Sequence, residues 1–172
     1  MNEFLTLMFV DILLGFVPQA IGCAIFMFTI ANKKIRSRAF LCTAAIYSAI
    51  AMVIRILYNS GLIDFGFHTI IIWILFIVVA ILYNKVPAFQ ATVSILVSGI
   101  LITISEIIVV CVMLFSIGEE RFNEIMNNAT TIDAQITKAV WGVPANFLFL
   151  IIVVIVGIVV KSRRKKDVKT KD

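Results

Sequence analysis

The chain has 172 residues, of which 62% are hydrophobic and 15% charged, with a formal net charge of +5 and a mean hydropathy of +1.09. A soluble domain is about half apolar and about a quarter charged, so this composition excludes an ordinary soluble fold and predicts a polytopic membrane protein. The basic residues crowd into Lys33 to Arg38 and Lys161 to Lys171, each beside an apolar run. There they read as topology signals rather than a nucleic-acid surface.

The first apolar run, about Phe4 to Ala31, contains Asp11, Pro18 and Gln19. It lacks a basic n-region and is expected to stay in the mature protein. The second, about Ala39 to Tyr58, contains Arg55. The third runs from about Phe67 to Tyr83, the fourth from about Ala88 to Ile117, and the fifth from about Val140 to Val160. Only helices satisfy every backbone group in lipid at these lengths. The expected fold is therefore all-α: a bundle of five transmembrane helices over 1–160 and a basic cytoplasmic tail over 161–172. The first and fourth runs exceed the roughly 20 residues a span needs, so they should tilt, kink or overshoot, with Pro18 as the kink in the first.

The loops alternate in charge. NKKIRSR (32–38) carries four basic residues, YNKVP (83–87) carries Lys85, and the tail carries seven basic residues against two acids. The loop around Asp64 and the segment holding Glu119, Glu120, Glu124 and Asp133 are acidic. The positive-inside rule then places the N-terminus outside and the C-terminus in the cytoplasm. Lys161, Arg163, Arg164, Lys165 and Lys166 are either a stop-transfer flank or a contact for anionic lipid. In the outer segment Phe122, Ile125, Met126, Ala129, Ile132 and Ile136 recur near helical spacing, which predicts one or two short amphipathic helices on the outer surface. Cys23, Cys42 and Cys111 read as small buried hydrophobes.

The fourth run carries Ser105 and Glu106 in an otherwise aliphatic stretch, SILVSGILITISEIIVV (94–110). At 100° per residue, Val93, Leu96, Val97, Ile100, Ile104 and Ile107 form one aliphatic arc. Gln90, Ser94, Ser98 and Ser105 form a second, and Thr92, Gly99, Thr103 and Glu106 a third. Ser94, Ser98, Thr103 and Ser105 are candidate helix-packing positions. This helix is expected at the centre of the bundle with Glu106 inward and Arg55 as its partner. Asp11, Arg55, His68 and Glu106 all fall in the outer half and suggest a polar, outward-open cleft. Each has a competing structural reading: Asp11 solvated, Arg55 snorkelling, His68 interfacial, Glu106 protonated and bonded to neighbouring hydroxyls.

Catalytic patterns are missing. One His and no cysteine pair give no metal site, and neither a glycine-rich phosphate loop nor a nucleophile elbow occurs. No enzyme activity, metal or cofactor is expected.

FGFHTIIIWILFIVV (65–79), followed by the polar-striped helix ending ISEIIVV (104–110), resembles the membrane sensor region of accessory-gene-regulator-type histidine kinases, which are peptide-pheromone receptors. The resemblance covers about half the chain, Arg55 to Val112. In that family the bundle feeds a dimerisation helix and an ATP-binding domain. Here twelve residues follow the last span, with neither phosphoacceptor histidine nor nucleotide site. The resemblance implies a sensor-like module without a transmitter. It would bind an extracellular peptide or small ligand and act through a membrane-protein partner or a second copy. The alternatives are a transporter or transporter membrane subunit, and a small structural or immunity-type membrane protein.

Overall fold

A computed structural model describes the backbone over residues 11–35, 37–64, 67–127 and 132–169, and within these the side chains other than 11–13, 59, 126, 127, 132–136, 138, 139 and 164–169. The described residues are helical and carry no strand. A π-helical turn over Asp11–Phe16 leads into α1 (Val17–Ile30), followed by α2 (Arg38–Asn59), α3 (Phe67–Leu82), α4 (Ala88–Ile117), α5 (Glu119–Asn127) and α6 (Ile132–Lys169).

Local chemistry sets the ends. Pro18 lies in the first turn of α1, directly after the π-helical turn. The Ser37 side chain caps α2 by accepting from the Phe40 N–H at 3.1 Å. Gly118 ends α4 at φ 80°, a conformation that favours glycine. Among the described residues three helical segments, Arg38–Tyr58, Ala88–Ile117 and Val140–Arg163, are long and apolar enough to cross a membrane. Leu14–Ile30 and Phe67–Leu82 are shorter apolar helices. The segment after α4 forms one separate short helix, α5. Phe122 and Ile125 are half-buried on it while Glu119, Glu120, Arg121 and Glu124 are exposed. From Ile132 onward the chain already belongs to α6, so a second separate helix does not form.

The expectation that the fourth span is central is corrected. The central helix is α1, which packs on α2, α4 and most closely on α6. Around it α2, α3, α4 and α6 follow one another, each packed on the next. Pro18, Ala20, Gly22, Cys23, Ala24 and Phe26–Thr29 are all buried on α1, whereas only 11% of the most apolar window of α4 is buried. Small residues explain the close approach: a Cβ at Gly22 would strike the Phe149 ring of α6, and one at Gly99 would strike Trp73 of α3. The core closes with Tyr47 of α2 stacked on Phe76 of α3 at 3.9 Å. The Tyr47 hydroxyl donates to the Phe76 carbonyl at 2.9 Å.

Outward-facing aliphatics cover the bundle, among them Val53, Ile70, Ile74, Ile100, Ile107, Ile151 and Ile155. Cys23 is buried as expected, but Cys42 and Cys111 stand exposed on the outer faces of α2 and α4. Each replaces an aliphatic residue on an apolar surface, which hydropathy cannot tell from a core position.

Candidate functional site

The first polar feature is a break shared by α1 and α6. Pro18 has no N–H, so the Leu14 carbonyl four residues earlier loses its helical donor, and the π-helical turn lies just there. The Asn146 side chain of α6 supplies the missing donor, its Nδ2 bonding the Leu14 carbonyl at 2.8 Å. A carbonyl only accepts, so this bond fixes the amide orientation, and Asn146 Oδ1 accepts from Gln19 Nε2 at 2.9 Å. Pro144 lies within α6 two residues before Asn146 and likewise leaves the Val140 carbonyl without its i+4 donor. Pro18 stands about 18 Å above the end of α1 at Ile30, counting about 1.5 Å per residue. Asn146 is 7% exposed. Sequence reasoning noted Pro18 and Gln19 and missed Asn146. The signal was there: an amide inside an apolar run, two residues past a proline.

The second feature joins α2 and α3 at the ends opposite the basic loops. The Arg55 guanidinium lies over the Tyr58 ring at 5.3 Å, one turn along α2. That ring packs on His68 of α3 with centroids 4.6 Å apart, and Thr69 Oγ1 lies 3.2 Å from His68 Nε2. Arg55 Nε is buried with no hydrogen-bond partner among the described residues. An unsatisfied guanidinium donor held against a ring can receive a carboxylate or another planar anion. Arg55 and His68 are thus brought together through Tyr58.

Glu106 is a correction. It is exposed on the outer face of α4 and forms no ion pair with Arg55. Thr103, also expected to pack between helices, is exposed and donates only to the Gly99 carbonyl of its own helix, at 3.1 Å. The reason is the length of α3. Gly99 packs on Trp73, and Glu106 lies about 10 Å further along α4. From Trp73 to the first residue of α3, Phe67, is only about 9 Å, so α3 gives out where Glu106 stands. Ser94, Ser98 and Ser105 are fully buried, and each hydroxyl donates to the carbonyl four residues back, at 2.6–2.8 Å. That arrangement leaves no polar hydrogen facing the neighbouring helix.

Asp11 opens the π-helical turn, and its side chain lies outside the described residues. So do the side chains of Arg164, Lys165 and Lys166, while Lys161 and Arg163 are exposed near the end of α6. Among the described residues no group of His, Cys, Asp or Glu could hold a metal ion. No protein-family model matches the chain, and no curated protein or solved structure matches it.

Proposed function

We propose that this chain is a five-span, receptor-like membrane module, N-terminus outside and C-terminus cytoplasmic. It takes up a carboxylate-bearing extracellular ligand, such as a peptide, at the Arg55–Tyr58–His68 cluster and acts through contacts with a membrane partner or a second copy. The observation that carries this reading is the buried Arg55 Nε, without a partner among the described residues, held over Tyr58 and beside His68. Heights support it. Arg55 is about 26 Å from the start of α2 and Glu106 about 27 Å from the start of α4, against a hydrocarbon thickness of about 30 Å. Both then stand just inside the outer boundary, where their charged ends reach water. The likeness of 65–79 and 104–110 to accessory-gene-regulator-type sensors agrees with a peptide as the ligand.

The paired break at Pro18 and Asn146 favours a second reading, transport. Irregular helices near the midplane accompany substrate passage in transporters.

One experiment separates the two. His68 is the only histidine in the chain, so a ring-labelled sample in lipid nanodiscs gives a single imidazole signal. Tetrapeptides with a free C-terminal carboxylate are expected to shift it, their amidated forms are not, and Arg55→Gln is expected to abolish the response. Silence towards every carboxylate peptide contradicts the receptor reading. Accumulation of a responding peptide inside proteoliposomes favours transport.

A further inference from the structure

The two basic loops do more than flank the helices; they meet in a pocket of about 500 Å³. Its walls include Lys33, Lys34, Ser37, Ala39, Asn84 and Lys85, and among the described residues no carboxylate lines it. Lys33 Nζ donates to the Asn84 carbonyl, tying the α1–α2 turn to the α3–α4 turn. Both turns reverse through left-handed residues, Asn32 at φ 54° and Lys85 at φ 50°. Asparagine tolerates that conformation; lysine rarely adopts it. The strain is held by the hydrogen bonds around it, Asn84 N–H to the Val79 carbonyl at 3.3 Å and Val86 N–H to the Ala80 carbonyl at 3.1 Å. It brings a third lysine to the pocket.

Two further features point to an anion. The pocket lies at the N-terminus of α2, where the Ser37 side chain satisfies Phe40 and the Arg38 and Ala39 N–H groups have no intrahelical acceptor. Asn84 is 5% exposed; its Oδ1 meets the hydroxyl of the fully buried Thr43 at 3.0 Å, and its Nδ2 has no partner. A buried amide donor without an acceptor costs about 1–3 kcal/mol, and Asn84 is part of the pocket wall.

We infer that this pocket binds a phosphate group, carried by an anionic phospholipid headgroup or by free phosphate. Lys33, Lys34 and Lys85 supply charge, and the first turn of α2 supplies oriented donors. Leu41, Leu82 and Phe89, each more than 60% exposed beside these turns, offer apolar surface along which acyl chains would run. The inference holds whichever side of the membrane the loops face.

The test uses the full chain in phosphatidylcholine nanodiscs. Phosphatidylglycerol is added in one arm and inorganic phosphate in the other; bound ligand is counted by native mass spectrometry and thermal unfolding is followed. Wild type is expected to retain about one phosphatidylglycerol and to unfold at a higher temperature. Lys34 and Lys85 are exposed, so Lys34→Gln and Lys85→Gln should fold, and each is expected to weaken binding about fivefold. The control Lys161→Gln/Arg163→Gln is expected to change nothing. Stabilisation by inorganic phosphate with the same dependence on Lys34 and Lys85 assigns the site to the free anion; response to the lipid alone assigns it to the headgroup. Failure of both probes to bind, or equal binding by the pocket variants and wild type, overturns the proposal.

Discussion

Replacing Asn146 with leucine keeps most of the side-chain volume and removes two hydrogen bonds, one to the Leu14 carbonyl and one from Gln19. Side-chain bonds between membrane helices contribute about 0.6 kcal/mol on average and up to about 1.7. The variant should therefore lose about 1–3 kcal/mol in denaturant unfolding of the purified protein in mixed micelles. The diagnostic quantity is its coupling to Pro18. Pro18→Ala restores an N–H that can reach the Leu14 carbonyl, so the bond from Asn146 is no longer that carbonyl's substitute donor. In the Pro18→Ala background, Asn146→Leu should cost about 1 kcal/mol less than in wild type. Independent sites add to within about 0.5 kcal/mol. Additivity within that margin would refute the claim that Asn146 repairs the backbone at the proline.

Gly22→Ala should destabilise by about 1–3 kcal/mol, because the new methyl meets the edge of the buried Phe149 ring. Gly142→Ala, which meets nothing within 4 Å, should be neutral or gain up to about 1 kcal/mol of helix propensity; the same unfolding assay compares them. Tyr47→Phe keeps the stack on Phe76 and loses one hydrogen bond, for a cost of about 0.6 kcal/mol. Glu106→Gln and Arg55→Gln should be additive in a double-mutant cycle, since the two residues form no pair; coupling above about 0.5 kcal/mol would contradict their placement.

The helices were legible in the sequence because long apolar runs admit little else in lipid, and Gly118 falls where α4 stops. Which helix is central was not. Lipid and protein interior are equally apolar, so the aliphatic faces of α1 and α4 look alike on a wheel. What distinguishes α1 is its small residues against large partners, Gly22 under Phe149 above all. The wheel separated the buried serines of α4 from its exposed arc of Leu96, Ile100, Ile104 and Ile107. It failed for Glu106 because a wheel carries no height, and α3 ends before covering it. Asn146 was overlooked because it bears no charge, although its partner is a backbone carbonyl that Pro18 already marked.

The central claim is that the Arg55–Tyr58–His68 cluster opens to the outside while the basic loops face the cytoplasm. A cysteine-free background with His68→Cys or Lys34→Cys, treated in intact cells with a membrane-impermeant maleimide, tests it most directly. The account predicts labelling at position 68 in intact cells and at position 34 only after permeabilisation. Labelling at 34 in intact cells, with 68 protected until permeabilisation, would contradict it.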